Sequence, residues 1–531
     1  MRQSGLRHVH LSLWAAGLIS LALVSPALAR NDTTDVASTK GFRKAVTLAG
    51  IREHQAAFQS FSDANGGNRV AGGPGYEASA EYVVAKMQAA GYSVSSQEFA
   101  FRFNADRTPP VLTTISPVAA TYVDGVDFAS MTYSPNGDVT AQVVAVDLVV
   151  PPVGTSNGNT SGCQAADFAG FPPGAIALLQ RGTCSFAVKA DNAAAAGASA
   201  TIIFNEGQAG RTVVVNGTLG SVRNYSMPVV GTTFSVGDLL RNGVNNGPTG
   251  VVTRVRVDRT DETRNTRNII AETPGGNPDQ VIVVGAHLDS VSRGPGINDN
   301  GSGSATILEV AETMAAQERD VRNKIRFVWW GAEELGLLGS NYYVSQLSAA
   351  ERAKIVLNLN FDMIGSPNAV RFVYDGDNSA FPVGPGAAAG PLGSGEIEEL
   401  FHRYFDSQSL ASAETPFSGR SDYGPFIAIG IPAGGLFTGA EGVKTAEQAA
   451  IYGGTAGAPY DPCYHLACDT IANINDTTLD QMADAVAHSV LYFSKRDFGK
   501  NPLGVTSSLK GKGNSLTSGG LHDHEDENID R

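Results

Sequence analysis

The chain has 531 residues, a formal net charge of −14 and only 17% charged residues. This acidic balance excludes a protein built to bind nucleic acid or anionic membrane surfaces. The 61 glycines fit a turn-rich globular protein and not a disordered one, and the length predicts two or three domains.

The first 29 residues have the pattern of a cleaved secretory signal. Arg2 and Arg7 give a basic start, residues 11–24 are apolar, and residues 27–29 (Ala-Leu-Ala) match the small-x-small cleavage pattern. The alternative is an uncleaved amphipathic anchor. No later stretch approaches the ~18 consecutive apolar residues of a membrane span. We expect a protein secreted to the extracellular space or periplasm, free of the membrane once cleaved after Ala29. Cleavage removes two arginines and no acid, so the net charge becomes −16.

Residues 41–106 predict the first segment of a main domain. The polar residues 30–39 before it predict a frayed or trimmed terminus. The pattern is then helix, Gly-rich loop, helix and strand. The second helix, from Ser79 to Ala90, carries apolar residues at helical spacing and stops at Gly91, as a helix C-terminus should.

Residues 107–260 predict a separate, mostly β domain inserted into the main one. Short β-rich runs alternate here with Gly, Pro and Asn, and one Ala-rich helix is predicted over 186–195. The segment contains no His and no cluster of acids that could hold a metal. We therefore expect the chemistry to lie elsewhere.

Residues 266–498 predict the second segment of the main domain, an α/β sheet. Apolar runs at 281–286, 325–330 and 355–361 are typical of strands buried on both faces, and 303–316 predicts a helix. Ligands bind at the C-terminal edge of such sheets. The ionisable residues that follow the three runs are His287 with Asp289, Glu333 with Glu334, and Asp362.

The four cysteines predict two disulfides, Cys163–Cys184 and Cys463–Cys468, because exported proteins oxidise their thiols. Four cysteines allow three connectivities, and a Cys-ligated structural zinc is the alternative. After Lys500 hydrophobic periodicity ends, so 501–531 predicts a disordered acidic tail, whose two histidines could bind metal only weakly.

His287 and Asp289 form the first candidate pair for a metal site. A lone buried histidine is more often a hydrogen-bonded core residue than a ligand. However, alternation along an extended segment puts both side chains on one side. The carboxylate can then orient the imidazole from behind, as metal-bound histidines usually require.

Asp299 is the only acid in the stretch 296–303, Gly-Ile-Asn-Asp-Asn-Gly-Ser-Gly. Glycines let the backbone approach a metal closely, so an aspartate here suits a bridging ligand. The alternative is that Asp299 is the N-cap of the helix that begins near Ser302.

Glu333 and Glu334 are adjacent acids after an apolar run, which is costly unless a cation neutralises them. One can be a ligand while the other serves as general base. Asp362, after another apolar run, and His465, between two cysteines, support the same interpretation. The whole set has enough donors for two zinc ions plus one free carboxylate, which points to metal-assisted hydrolysis.

Five short motifs occur in chain order between residues 287 and 465. They are His287-Leu-Asp289-Ser, Gly-Ile-Asn-Asp299-Asn-Gly-Ser-Gly, Glu333-Glu334-Leu-Gly-Leu-Leu-Gly-Ser, Asn-Phe-Asp362-Met and Tyr464-His465. They resemble the motifs of the co-catalytic dizinc aminopeptidases, above all the secreted bacterial leucine-type enzymes. The resemblance covers 41–106 and 266–498. The segment 120–255, with Cys163, Gly-Thr-Cys184 and Ala-Gly-Ala-Ser-Ala, resembles an inserted protease-associated domain.

The resemblance implies a zinc-peptidase fold of the α/β class, with a mixed, mostly parallel central sheet flanked by helices. It also implies two zinc ions per chain. His287, Asp299 and Asp362 would hold one zinc, and Asp299, Glu334 and His465 the other, so that Asp299 bridges them. A cis peptide bond after the bridging aspartate is common in the family, which predicts one at Asp299-Asn300.

The same resemblance assigns the remaining roles. Glu333 would be the general base, Asp289 would orient His287, and Tyr464 would stabilise the oxyanion, which its phenol can do as a hydrogen-bond donor. The expected substrates are peptide or protein N-termini, with apolar residues such as Leu favoured at the released position. The expected oligomeric state is a monomer.

Substrate binding involves two further expectations. Glu333 and Asp362 can receive the free α-ammonium group, so an N-acetylated peptide would not be cut. Arg420, in the motif Phe417-Ser-Gly-Arg420-Ser-Asp422-Tyr-Gly-Pro, resembles a residue of the cleft that contacts a substrate carbonyl or carboxylate. The alternative is a structural ion pair with Asp422.

Three other functions stay open at this point. A carboxypeptidase on the same scaffold would need positive groups for the substrate carboxylate, and Arg293 and Arg420 leave it open. A glutaminyl cyclase would use a single zinc. A non-catalytic binding protein is the third alternative, against which the complete set of ligands and base argues.

Overall fold

The structure is a computed structural model that describes residues 34–153, 158–208, 211–384 and 386–504. The predicted signal peptide and the tail beyond residue 504 lie outside the described residues. Within the described ranges, every helix is too short or too polar to cross a membrane.

Helices and strands alternate along most of the described chain. The helices are α1 (Thr34–Arg43), α2 (Leu48–Ala64), α3 (Pro74–Ala89), α4 (Phe186–Ala195), α5 (Phe234–Arg241), α6 (Gly301–Ala316), α7 (Leu338–Gln346), α8 (Ala349–Arg352), α9 (Ser394–Ser407), α10 (Gly424–Ala428), α11 (Ala446–Tyr452) and α12 (Asp476–Lys495), with 3₁₀ turns at Ala165–Phe168 and Glu333–Leu335. The strands are β1 (Ser93–Ser116), β2 (Ala120–Thr121), β3 (Phe128–Ser130), β4 (Gly137–Ala145), β5 (Ile176–Gln180), β6 (Ala200–Phe204), β7 (Val229–Thr232), β8 (Gly247–Glu272), β9 (Asn277–His287), β10 (Asn323–Trp330), β11 (Ile355–Phe361), β12 (Phe372–Tyr374), β13 (Ala413–Thr415) and β14 (Ala433–Phe437).

The central part of the sheet, called the central sheet below, has the strand order β13-β12-β14-β11-β9-β10-β8. The pairs β9–β10, β9–β11, β11–β14 and β12–β13 are parallel, whereas β8–β10 and β12–β14 are antiparallel. This confirms the predicted mixed, mostly parallel sheet. The three apolar runs are the strands β9, β10 and β11, and β9 lies between the other two.

Both faces of this central sheet are covered by helices. Ile282 and Val284 of β9 pack into the large core that includes α2, α6, α9 and α12. Val281 and Val283, which alternate with them, pack on the opposite side with Tyr343 of α7 and other residues. Because side chains of a strand alternate between faces, burial on both faces produces the continuous apolar runs in the sequence.

The inserted part has a parallel sheet of its own, β4-β5-β6-β7, with α4 and α5 packed on opposite faces. The predicted helix over 186–195 is α4, with Ser185 as its N-cap. Helix α5 was not predicted from the sequence. A signal for its start was present, because Thr233 caps the helix by accepting a hydrogen bond from Val236 N.

Strands β1 and β8 join the two parts as one antiparallel ribbon. Their pairing runs from Ser93↔Glu272 to Ser116↔Val252 with local register shifts. The domain limits expected near residues 106 and 260 therefore fall inside these strands and not in linkers. The central sheet and the inserted sheet are parts of a single 14-stranded sheet.

Two expectations about the N-terminal region need correction. Residues 34–39 are not frayed, because they belong to α1, where Val36 and Thr39 are buried. Thr39 Oγ1 is 2.8 Å from His488 Nδ1 of α12, which ties α1 to the core. The helix expected from Ser79 begins earlier, at Pro74, since proline is tolerated at the first helical position.

Both disulfides join the predicted partners. Cys163 and Cys184 have an S–S distance of 2.03 Å, and Cys463 and Cys468 have one of 2.12 Å. No cysteine in the described part of the chain is free. The second disulfide closes a short loop around His465, whose φ of 57° is in the left-handed region.

Candidate metal centre

The C-terminal ends of β9, β10 and β11 bring the predicted residues to one edge of the central sheet. His287 is the last residue of β9, the turn Glu333–Leu335 follows β10, and Asp362 directly follows β11. Neighbouring parallel strands end at the same edge, so residues that are 75 positions apart in the chain lie side by side.

Asp299 lies between the two histidines. Its Oδ1 is 3.2 Å from His287 Nε2, and its Oδ2 is 3.2 Å from His465 Nε2. Burial by itself raises the pKa of this carboxyl, but the hydrogen bonds from the two imidazoles hold it well below its usual range. One carboxylate oxygen faces each histidine, which is the arrangement that a bridging ligand requires.

The alternative role for Asp299 as a helix cap is wrong. Asn300 is the N-cap of α6, because its Oδ1 accepts a hydrogen bond from Gly303 N at 2.9 Å. The Asp299-Asn300 peptide bond is cis, as the resemblance implies.

Asp469 holds the Asp299 loop and was not among the predicted site residues. Its carboxylate accepts hydrogen bonds from Asn298 N at 2.8 Å and from Asp299 N at 3.0 Å. Burial, followed by the nearby Asp461, raises the pKa of Asp469 to about 8. The only signal in the sequence was its position directly after Cys468 of the second disulfide.

Asp362 and Glu334 add one carboxylate beside each histidine. Asp362 Oδ1 is 3.3 Å from His287 Nε2, and Glu334 Oε2 is 3.0 Å from His465 Nε2. Ser421 Oγ donates to Asp362 Oδ2 at 2.6 Å. In contrast, Asp362 Oδ1 and Glu334 Oε1 are buried without a hydrogen-bond donor. Buried carboxylate oxygens without donors are costly, so these two atoms point to a cation.

Asp289 supports both the first histidine and the acidic turn. Its Oδ1 and Oδ2 accept hydrogen bonds from Glu333 N at 3.1 Å and Glu334 N at 3.3 Å. His287 Nδ1 is 3.2 Å from the Asp289 carbonyl oxygen and 3.7 Å from its carboxylate. The backbone oxygen of Asp289 is therefore closer to the imidazole than the carboxylate that was expected to orient it.

Glu333 is nine-tenths buried and faces His287, with Oε2 at 3.9 Å from Nε2. Burial is the main cause that raises the pKa of Glu333 well above its ordinary value, and Asp422, Asp362 and Glu334 raise it further. A carboxyl group whose proton affinity is raised in this way is suited to accept a proton during a reaction.

Tyr464 and Arg420 lie at the rim of the site. The Tyr464 ring stacks on the His465 ring with centroids 3.8 Å apart. Arg420 Nη2 donates to the Tyr464 hydroxyl at 3.4 Å, and its Nη1 is 3.2 Å from Glu441 Oε1. The alternative for Arg420 was a structural ion pair with Asp422, but both Asp422 oxygens are buried without a hydrogen-bond partner.

Arg69 is a fully buried cation next to the acids and was also not predicted as part of the site. It donates to the carbonyl oxygens of Leu288, Pro295 and Gly296, the segment that connects β9 to Asp299. Burial lowers its pKa to about 10 even though Asp289 and other acids oppose this. The Gly-rich loop 66–73, which contains it, was the only signal in the sequence.

Arg293 contacts the inserted part of the molecule. Its Nη2 is 2.9 Å from Asp124 Oδ1 and 3.5 Å from Asp106 Oδ2. Gly125 lies beside both Arg293 and Leu466, since a Cβ at Gly125 would be 3.1 Å from each. The loop after β2 therefore touches the segment that carries His465.

The donor set fits zinc. The imidazoles of His287 and His465 each lie within 3.3 Å of two carboxylates, and zinc accepts both donor types. The two buried oxygens that lack donors are consistent with this assignment.

Comparisons with known proteins agree with the site. Residues 268–490 match Peptidase family M28, and residues 139–240 match the PA domain. The aminopeptidase of Pseudomonas aeruginosa is 47% identical over 86% of this chain and 83% of its own length. Leucine aminopeptidase 2 of Trichophyton tonsurans is 41% identical over 84% of this chain and 83% of its own.

Solved structures show the same fold. The aminopeptidase from Aneurinibacillus sp. strain AM-1 superposes with a TM-score of 0.63 at 29% identity, covering 86% of this chain and 97% of that one. The zinc aminopeptidase BSAP from Bacillus subtilis has a TM-score of 0.60 at 25% identity, covering 84% and 95%. The chain belongs to Peptidase family M28 and is a zinc aminopeptidase with an inserted PA domain.

Proposed function

We propose that this aminopeptidase uses two zinc ions, with Glu333 as general base, to hydrolyse the first peptide bond of peptides and proteins. The observation that carries the proposal is the position of Asp299, whose two carboxylate oxygens each face a different histidine at 3.2 Å. One ion would be held by His287, Asp299 and Asp362, and the other by Asp299, Glu334 and His465.

The protein groups around the ions would carry the proton transfers. Zinc, when bound, supplies Lewis-acid chemistry that acidifies water and polarises a carbonyl group. Glu333 takes a proton from the attacking water and passes it to the departing amine. Tyr464 donates a hydrogen bond to the substrate oxygen as negative charge develops there. Asp289 keeps the Glu333–Glu334 turn in place.

Recognition of a free N-terminus follows from the excess of acid at the site. The carboxylates of Glu333 and Asp362 both face His287 Nε2, at 3.9 and 3.3 Å, and within the described residues neither has a lysine or arginine as ion-pair partner. A substrate α-ammonium group would neutralise them, whereas an acetylated terminus cannot.

A preference for apolar residues such as Leu is supported by an open, mostly apolar groove of about 390 Å³. Its lining includes Leu337, which follows the Glu333–Leu335 turn, and Gly419, which precedes Arg420. Ile427 and Ala389 also line it. The Trichophyton tonsurans relative, which is named leucine aminopeptidase 2, is consistent with this preference.

Export and a monomeric state complete the proposal. The basic start and the apolar stretch at the N-terminus favour secretion with cleavage after Ala29. Two disulfides within the described residues fit an oxidising compartment.

Zinc content measured together with two substrates tests the proposal. We expect at least two zinc ions per chain, and cleavage of leucine p-nitroanilide but not of N-acetyl-leucine p-nitroanilide. Equal turnover of the blocked and free substrates contradicts the ammonium recognition, and one zinc per chain at full activity contradicts the two-zinc site.

A carboxypeptidase remains less well supported. Arg293, one of the two arginines that could receive a substrate carboxylate, already pairs with Asp124 and Asp106. Arg420 contacts Glu441 and Tyr464. Release of the C-terminal residue from an N-acetylated peptide would nevertheless establish that function.

A further inference from the structure

A second cluster of potential metal ligands lies between α2 and α6, away from the catalytic edge of the sheet. It consists of His54 on α2 and of Glu309 and Glu312, which are three residues apart on α6. Each residue offers one ligand atom, and the three atoms lie within 4.8 Å of one another. His54 Nε2 is 3.0 Å from Glu312 Oε2 and 3.7 Å from Glu309 Oε2.

The imidazole of His54 is held with Nε2 directed at the two carboxylates. The His54 side chain is only 2% exposed, and its Nε2 has no partner in hydrogen-bonding geometry. On the other side of the ring, Nδ1 is 2.8 Å from the Tyr82 hydroxyl of α3. Metal-bound histidines are typically oriented by such a contact at the second nitrogen.

Glu309 is also oriented by its surroundings. Its Oε1 accepts hydrogen bonds from Thr47 N at 3.1 Å and from Thr47 Oγ1 at 3.3 Å, which leaves Oε2 for the cluster. Gly50 makes room for this carboxylate, because a Cβ there would be 2.4 Å from it. The carboxylate therefore occupies space that any other residue at position 50 would fill.

A metal ion at this cluster must compete with the Lys86 ammonium group for Glu312 and with a proton for His54 Nε2. Lys86 Nζ of α3 is 3.6 Å from Glu312 Oε1 and 3.7 Å from Glu53 Oε1 of α2, so it neutralises the outer oxygen of Glu312. Burial lowers the pKa of His54, but the neighbouring carboxylates of Glu309 and Glu312 outweigh this effect, so the net pKa is raised. A proton on Nε2 is thus the competitor of a metal.

We propose that His54, Glu309 and Glu312 form an additional binding site for a divalent cation of the zinc class, separate from the catalytic ions. One imidazole nitrogen and two carboxylate oxygens are ligands that zinc prefers, and water would complete the coordination. The ion would cross-link α2 to α6. Since α6 begins two residues after Asp299, the cross-link stabilises the helix that follows the catalytic loop.

Zinc binding by the untagged full-length protein at pH 8, measured by mass spectrometry of the metal after gel filtration, tests the proposal. We expect the wild-type protein to hold one zinc more than Glu312→Gln. Glu53→Gln removes another glutamate that contacts Lys86 and should keep the wild-type count. The test uses the difference in zinc content between wild type and Glu312→Gln, not the total zinc content. It is therefore valid even if the catalytic site holds only one ion.

The tail histidines, His522 and His524, are present in all of these variants. Equal zinc counts in wild type and Glu312→Gln would therefore overturn the proposal, even if both exceed two.

Tyr82→Phe provides a second variant in case Glu312→Gln does not fold. It leaves all three ligands in place but removes the hydroxyl that orients His54. We expect the affinity for the additional zinc to fall by about 10-fold or more. The added zinc should also raise the Tm of the wild-type protein more than that of Tyr82→Phe, because a ligand stabilises the state that binds it. An unchanged affinity would contradict the site.

Discussion

The single sheet has two parts with parallel strands, joined by the antiparallel ribbon of β1 and β8. The C-terminal edges of the two parts differ in how their polar groups are satisfied. In the inserted part, Gln180 ends β5 and makes four hydrogen bonds, with Val149 N, Val149 O, Asn159 Nδ2 and Glu206 O. In the central sheet, Glu334 Oε1 and Asp362 Oδ1 are buried without a donor.

This difference shows that the sheet edge alone does not create a catalytic site. Both edges collect residues from neighbouring strands, but a neutral amide can be satisfied by the protein, whereas a group of buried carboxylates cannot. The central edge carries two histidines and two buried carboxylate oxygens that no hydrogen-bond donor reaches. These oxygens need cations to compensate their charge. At the inserted edge, the Gln180 amide is satisfied by the protein itself and serves the fold.

The largest expected effect comes from Glu333→Gln at the central edge. We expect the rate to fall by about 10³-fold or more, because the proton acceptor is lost while the donor atoms beside the histidines remain. Metal analysis and kcat on leucine p-nitroanilide check this. Near-normal activity with intact metal content would refute the role of Glu333 as base.

Asp469→Asn should have the next largest effect. The variant keeps only one good acceptor for the two N–H groups of Asn298 and Asp299, so the loop that carries the Asp299 carboxylate loses part of its support. Affinity for zinc should fall by about 10–100-fold, as measured by competition with a chelator. Asp138→Asn, an exposed change in the inserted part, serves as control and should leave affinity unaltered.

Gln180→Ala tests the C-terminal edge of the inserted sheet, where we expect a loss of stability but no loss of zinc. Removing the amide leaves Val149 N and Glu206 O without their partner, which should lower the free energy of unfolding by about 1–3 kcal/mol. Thermal unfolding measures this, and zinc content should not change. A loss of zinc in this variant would mean that the two edges are coupled.

The smallest effect concerns Glu398 in α9, next to the end of β12. Burial, followed by Asp377, Asp375 and Glu414, raises its pKa from 4.5 to about 8. The stability contributed by the protonated group is present below pH 4.5 and is lost as pH rises through about 8. Glu398→Gln should therefore flatten the decline of Tm between pH 5 and 8, and an unchanged slope would contradict this origin.

Several candidate site residues could be predicted because they are ionisable residues at the ends of long apolar runs. Glu333 and Glu334 follow a strand that is apolar on both faces, where unpaired acids are costly, and His287 and Asp362 end runs of the same kind. The motifs added His465 and Tyr464. Asp469 and Arg69 escaped prediction because they act through the backbone of the Asp299 loop, and contacts of this kind have no pattern in the sequence.

The sequence by itself indicated the three central strands and the ionisable residues that follow them, because apolar runs are local properties. The candidate metal ligands came with the resemblance to the dizinc aminopeptidases, and cysteine position favoured the two disulfides while leaving three connectivities open. The tertiary structure decided which atoms meet. Asp299 lies between two histidines, and Arg420 pairs with Glu441. The strands β1 and β8 continue across the expected domain limits. These features depend on distances between residues far apart in the chain, which only packing sets.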